Sequence, residues 1–122
     1  MKLTGKVALI TNVSHFMGPA ITEEFCREGA SVALHDRDEA AVKPYALIAE
    51  RLGRDVLSLA GDLSRSGEAE RAVEAVVARF GRLDILVNNN AHPPSGSPVE
   101  QITDAAWREM MARLLDEPFF CL

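Results

Sequence analysis

The chain has 122 residues, 48% of them hydrophobic and 25% charged, enough for one modest core in a single domain over 1–122. A formal net charge of −5 and a pI near 5.1 exclude a non-specific nucleic-acid binder, which needs a basic surface. Cys26 and Cys121 fit neither a metal spacing nor a disulfide scaffold, and the first apolar run is too short for a signal peptide or membrane span. A reduced, cytoplasmic protein without a membrane partner is expected.

The first predicted element is a buried strand over Lys6 to Thr11, short, apolar and bounded by Gly5. Thr11 to Gly18 follows, reading T-N-V-S-H-F-M-G, and Pro19 then suits the first position of a helix, where its missing N–H would be unpaired anyway. Met17, Ile21 and Phe25 repeat at i, i+4, i+8 as an apolar stripe, and Gly29 offers a left-handed stop. Ser31 to Leu34 reads as a second strand, ending in His35-Asp36-Arg37-Asp38. The next helix carries Ala46, Ala49 and Leu52 on its packed face and ends at Gly53. It is expected to divide at Pro44, which breaks the hydrogen-bond ladder.

Val56 to Ala60 forms the third strand, and Gly61-Asp62-Leu63-Ser64 leaves it. Ala69, Ala72, Val73, Val76, Val77 and Phe80 mark the clearest amphipathic helix, closed by Gly81. Leu83 to Val87 is the fourth strand, running into Asn88-Asn89-Asn90, and Ala91 to Val99, rich in proline, is a loop. Thr103 caps a last helix through Trp107, Met110, Met111, Leu114 and Leu115, with Pro118 interrupting it or starting another.

Four β-then-α units in succession predict an α/β fold: a Rossmann-like, doubly wound parallel sheet of four strands with helices on both faces. That winding gathers Thr11–Gly18, Asp36, Asp62 and Asn88–Asn90 at the carboxyl ends of the strands, where open α/β sheets bind ligands. Strand, tight turn and helix around Thr11–Gly18 is the geometry that seats a dinucleotide pyrophosphate on a helix N-terminus. Such a turn uses glycine for the bend, for close backbone approach and for helix–strand packing. Here Asn12 and Phe16 stand at the first two places and only Gly18 remains. Asn tolerates left-handed geometry better than most residues. Phe16 has two outcomes open to it. Its ring folds back as core and leaves the backbone path clear, or it occupies the cofactor region and lines a small apolar or halide-sized pocket.

Other side chains promise less. His15 could donate to an anion at the loop, but an exposed histidine without a role is the plainer expectation. His35 reads as strand-end packing and His92 as a wall in the proline-rich loop. No carboxylate lies at ligand spacing from any histidine, so no metal site is expected. Asp104 and Glu109 read as solvated, and Tyr45, the lone tyrosine, lies away from the carboxyl ends of the strands.

The whole chain resembles the N-terminal half of the short-chain dehydrogenase/reductase superfamily. The resemblance is carried by Gly5-Lys6-Val7-Ala8-Leu9-Ile10-Thr11, Asp36, Gly61-Asp62-Leu63, Leu83-Asp84-Ile85-Leu86-Val87-Asn88-Asn89 and Trp107. It implies that Asp36 accepts hydrogen bonds from the adenosine ribose and favours NAD, whereas Arg37 could accept the 2′-phosphate of NADP. It further implies that Asp62 meets the adenine and Asn88 lines the cofactor channel. The implied cofactor-binding set is Thr11, Asn12, His15, Phe16, Met17, Gly18, Asp36, Asp62, Leu63, Asn88 and Asn89.

Departures from the pattern fall at functional positions: the glycine-poor turn, Asn88-Asn89-Asn90-Ala91 for the usual N-N-A-G, and Leu114 for the helix asparagine. Thr11 with Phe16 and Gly18, His35-Asp36, and Pro118-Phe119 resemble the halohydrin dehalogenases, relatives that fill the nicotinamide pocket with aromatic side chains and hold halide there. The catalytic serine and tyrosine that the resemblance implies fall later. No Tyr-x-x-x-Lys or Tyr-x-x-x-Arg occurs in this chain, since Ala49 stands four residues after Tyr45, and no catalytic residue is assigned. The apolar ending Phe119-Phe120-Cys121-Leu122 leads us to expect either further residues in the natural protein or a homo-oligomer.

Three readings follow. The preferred one is half of a halohydrin-dehalogenase-like enzyme, closing a haloalcohol to an epoxide with no nucleotide, because Asn12, Phe16 and Leu114 depart where a cofactor would sit. The alternative is half of an NAD- or NADP-dependent oxidoreductase acting on an alcohol or ketone, favoured by Asp36, Asp62 and Asn88-Asn89. The third is a non-catalytic binding module. A small-molecule substrate or halide is the expected partner in the first two.

Overall fold

A computed structural model describes residues 1–90 and 96–122, so His92 and the start of the proline-rich loop lie outside the described residues. Four strands, β1 (Val7–Ile10), β2 (Ser31–Asp36), β3 (Val56–Ala60) and β4 (Ile85–Val87), form one parallel sheet in the order β3-β2-β1-β4. Ile10 pairs with both Leu34 and Val87, and Asp36 pairs with Ala60. β1 has neighbours on both edges and helices on both faces, which is why its four residues are all apolar and all buried instead of alternating. β2 runs two residues beyond the expected end, taking in His35 and Asp36, while β1 and β4 are shorter than expected.

Helices α1 (Gly18–Arg27) and α2 (Glu39–Arg51) pack together on one face, over Ile10, Val32 and Leu34, with Cys26, Val42 and Ala49 closing the cluster. Helix α3 (Glu68–Phe80) covers the other face, with Val76 against Val7, Leu9 and Ala33. Each such aliphatic side chain, fully buried, contributes about 1.5–3 kcal/mol.

The buried stripe of α1 is Gly18, Thr22 and Cys26, one position round from the expected Met17, Ile21 and Phe25. Gly18 sets this phase: a Cβ there would lie 2.2 Å from the Val13 carbonyl oxygen, so the helix enters with its glycine inward and Met17 exposed. α2 does not divide at Pro44. It is one helix, capped by Asp38, whose Oδ1 accepts from the Ala41 amide at 2.9 Å. Pro44 and Ala40 lie on its exposed side, where water can take the carbonyl that the proline leaves unbonded, while Val42, Ala46 and Ala49 are anchored in the core. α3 ends as expected at Gly81, at φ 79°, although Val77 is more exposed than its place in the apolar pattern suggests.

After a 3₁₀ turn at Val99–Gln101, α4 (Asp104–Met111) begins at Thr103, whose hydroxyl accepts from the Ala106 amide at 3.1 Å. A wide π turn over Ala112–Asp116 leads straight into α5 (Glu117–Cys121), where Pro118 lies in the first turn, so it opens a further helix and does not stop the chain's helical course. Nothing in α4 is buried. Trp107 and Leu115 are exposed, and the inward residues are Glu117 and Cys121, the latter against Leu63, Ala69 and Ala72. Burial pushes the Cys26 and Cys121 thiols up to about 11, which makes both poor nucleophiles. No helix among the described residues is long and apolar enough to cross a membrane.

Candidate functional site

The chain turns back from β2 and β3 to place β4 on the other side of β1, so the loops after β1 and β4 face each other at the switch point. Thr11 joins them. Its amide donates to the Val87 carbonyl at 3.1 Å, its hydroxyl donates to the same oxygen at 3.3 Å, and it accepts from the Asn89 amide at 3.1 Å. Asn89 then reaches across: its side-chain amide donates to the Asn12 carbonyl at 2.9 Å and the His15 carbonyl at 2.7 Å. From below, the Val13 amide donates to the His35 carbonyl at 2.9 Å.

These bonds hold a glycine-type turn without two of its glycines. Asn12 at φ 49° and Phe16 at φ 46° are the non-glycine residues in left-handed conformation among those described. Of the two outcomes open to Phe16, the first is not realised: it is 73% exposed and joins no core cluster. It also lines none of the crevice beside the loop.

Asp36, at the end of β2, lies under this loop. Its Oδ2 accepts from the Ser14 amide at 2.9 Å and hydroxyl at 2.6 Å, and its Oδ1 accepts from the Arg37 amide at 2.8 Å. Burial pushes the carboxyl up, but these bonds outweigh it and hold it below the usual carboxylate value. Oδ1 keeps a lone pair for one further donor. His15 is mostly exposed, with Nδ1 3.0 Å from the Ser14 hydroxyl and 3.8 Å from Asp36. Arg37 stands 3.5 Å from Asp62, whose carboxyl is pushed up by its partial burial but held low on balance by Ser64, Arg37 and Arg65. Asn88 is exposed, and the Leu63 side chain is buried in the α3–α5 core, away from the crevice.

His35 does more than pack. Its Nδ1 accepts from the Asn12 amide at 3.4 Å while Nε2 meets the Gly61 carbonyl at 2.9 Å, so the ring joins the first loop to the end of β3. Burial holds its pKa below the ordinary value, against the opposing pull of the Gly61 carbonyl and nearby carboxyl groups.

Sequence reasoning missed Ser14, Arg113 and Glu117. The Asn12 side-chain amide donates to Glu117 Oε1 at 2.7 Å, and the Asn90 side-chain amide donates to the Arg113 carbonyl at 2.8 Å. Glu117 is 2% exposed. A signal for it was present: an acid amid Leu114, Leu115, Pro118, Phe119 and Phe120 is costly unless something holds it. Between Asn12, His15, Asp36, Arg37, Asn90, Arg113 and Glu117 only about 20 Å³ is open, room for about one water. Among the described residues, Asn90 Oδ1 and Arg113 Nε are buried in that wall with no protein partner. A larger open groove, about 430 Å³, lies elsewhere, between α2 and Ser58, and is bordered by Glu39, Lys43 and Glu50.

The loop backbone fits a pyrophosphate, since Gly18 lets α1 start directly behind it, and Asp36, Arg37 and Asp62 fit an adenosine ribose in chemistry. The width of the crevice is what constrains them.

A family model described as enoyl-(acyl carrier protein) reductase matches residues 13–122. The A-factor type gamma-butyrolactone 1′-reductase (1S-forming) of Streptomyces virginiae is 34% identical over 120 residues, which is 98% of this chain and 47% of that one. A metagenomic short-chain oxidoreductase solved in complex with NADP superposes at TM-score 0.92 and 32% identity, over 100% of this chain and 55% of its own. The 3-ketoacyl-(acyl-carrier-protein) reductase of Brucella melitensis, complexed with NADH, does so at TM-score 0.87 and 30% identity, over 98% and 48%. The chain spans about half the length of the curated relatives it matches. These relatives are reductases and oxidoreductases, and they give the dehalogenase-like reading no support. The chain belongs to the short-chain dehydrogenase/reductase superfamily and forms the N-terminal half of that fold.

Proposed function

We propose that this chain is the nucleotide-binding half of an NAD- or NADP-dependent oxidoreductase acting on an alcohol or ketone. The observation that carries the reading is the loop. Asn12 and Phe16 adopt the left-handed backbone of a glycine turn, and Phe16 is exposed and lines none of the crevice. Relatives solved with NADP and with NADH support the cofactor class. In this reading the Thr11–Gly18 loop and the start of α1 hold the pyrophosphate. Asp36 Oδ1 and Arg37 meet the ribose, Asp62 the adenine, and Asn88 and Asn89 form the far wall. A bound nicotinamide supplies the hydride chemistry. None of these residues is assigned a proton-transfer role, so this chain by itself is expected to turn over neither alcohol nor ketone.

Calorimetric titration of the chain with NADH, NADPH and bromide tests this. Saturable binding of at least one dinucleotide is expected, at a Kd of about 1 mM or tighter, equivalent to about −4 kcal/mol or better. Asp36→Ala should shift the preference from NADH towards NADPH. A bromide response without a nucleotide response would return the halide pocket; no response to either ligand would leave a non-catalytic module.

A further inference from the structure

The last helix fastens both walls of the crevice. On one side the Asn12 side chain donates to Glu117, and on the other the Asn90 side chain donates to the Arg113 carbonyl, one helical turn earlier. The second bond follows from the backbone. In the π turn the Glu117 amide donates to the Ala112 carbonyl, and the next residue, Pro118, has no N–H to offer Arg113. The Arg113 carbonyl is therefore left for Asn90. The first bond joins the acid at the head of α5 to Asn12, the residue at the bend of the loop.

We propose that the Asn12–Glu117 pair is a latch that decides whether a dinucleotide enters the crevice. This rests on the proposed function. With the latch closed, the space between Asp36, Asn90 and Glu117 is about 20 Å³, whereas ligand sites hold several hundred, on the order of 300–1,000 Å³. The closed state opens when a ligand offers Asn12 and Asn90 better partners. Glu117 acts through Asn12, as a positioning residue, and the observed affinity is the intrinsic one multiplied by the fraction of molecules that stand open.

The test compares the unsubstituted chain with Glu117→Ala, Glu117→Gln and Asn12→Gly. NADH and NADPH affinities are measured by calorimetry, and thermal midpoints are measured without nucleotide. Glu117→Ala and Asn12→Gly remove the latch and should bind the preferred dinucleotide at least about tenfold more tightly. Glu117→Gln keeps an oxygen that Asn12 can donate to, and should stay within about threefold of the unsubstituted chain. Glu117→Ala should also lower the thermal midpoint, so tighter binding accompanies lower stability, which a purely structural role for Glu117 does not produce. If Glu117→Ala fails to fold, Asn12→Gly carries the test. Equal affinities across the series would overturn the latch and leave the proposed function standing. Absence of binding in every folded variant would overturn both. Tightening in Glu117→Gln as large as in Glu117→Ala would show that charge, not the hydrogen bond, excludes the ligand, and would also overturn the latch.

Discussion

Phe16 holds a left-handed conformation, at φ 46°, that costs an L-residue about 1–2 kcal/mol, and its exposed ring recovers little of that by burial. Glycine gives back about 0.5–1 kcal/mol through its greater chain entropy when unfolded. Phe16→Gly is therefore expected to be neutral or to stabilise by up to about 1 kcal/mol, read from the urea midpoint. A loss of stability would show that the ring has a packing role. His35 sets a pH dependence at the same scale. Its folded pKa lies below the ordinary 6.5, so above about pH 6.5 it has no effect. As pH falls below that value the unfolded chain takes up a proton that the folded ring resists, and stability declines. Denaturant titrations between about pH 7.5 and 5 should show this decline, and His35→Gln should flatten it. Asp36 and Asp62, both held low, favour the folded state above about pH 3.8 and lose that contribution as pH falls through their lowered values.

Between elements, Asn89 is the tie that makes a loop without two of its glycines behave like one that has them. It carries β4 across to the Asn12 and His15 carbonyls. Asn89→Ala removes that donor from both carbonyls, which keep their backbone donors His15 and Gly18, and should cost about 0.5–1.5 kcal/mol, measured by denaturant unfolding, with weaker dinucleotide binding in the same variant. The last helix shows why periodicity misled. A π turn adds a residue to one turn, which rotates everything after it by about 100° relative to an unbroken helix. The turn does not account for Trp107, which precedes it and is exposed; what it reorients is α5. Glu117 and Cys121 take the inner face. The amphipathic pattern of α3, with no such turn, was legible to its closing glycine.

On the scale of the whole molecule, the last helical stretch leaves large apolar side chains in solvent: Trp107 is 52% exposed, Leu115 56% and Phe119 70%. Large exposed apolar surface is an association liability. The chain is expected to self-associate with rising concentration in sedimentation velocity. Leu115→Glu combined with Phe119→Asp should shift it to monomer without lowering the unfolding midpoint by more than about 0.5 kcal/mol, as expected for surface positions. A single monomeric species of the unsubstituted chain at all concentrations would contradict this.

By itself the sequence determined the parallel sheet, its four strands, the helix stops at Gly29, Gly53 and Gly81 and the gathering of Asn12, Asp36 and Asn89 at one end. All of these follow from local periodicity, glycine geometry and the alternation of strand and helix. Only the tertiary structure decided which way Phe16 faces and which acid closes the crevice. Phe16 faces out because bonds from Asn89, 73 residues away, hold the backbone that carries it. Glu117 faces in because a π turn rotates α5 and Asn12, 105 residues earlier, supplies its donor. Neither partner can be inferred from a window of neighbouring residues, since each contact exists only once β1, β4 and the last helix are packed together.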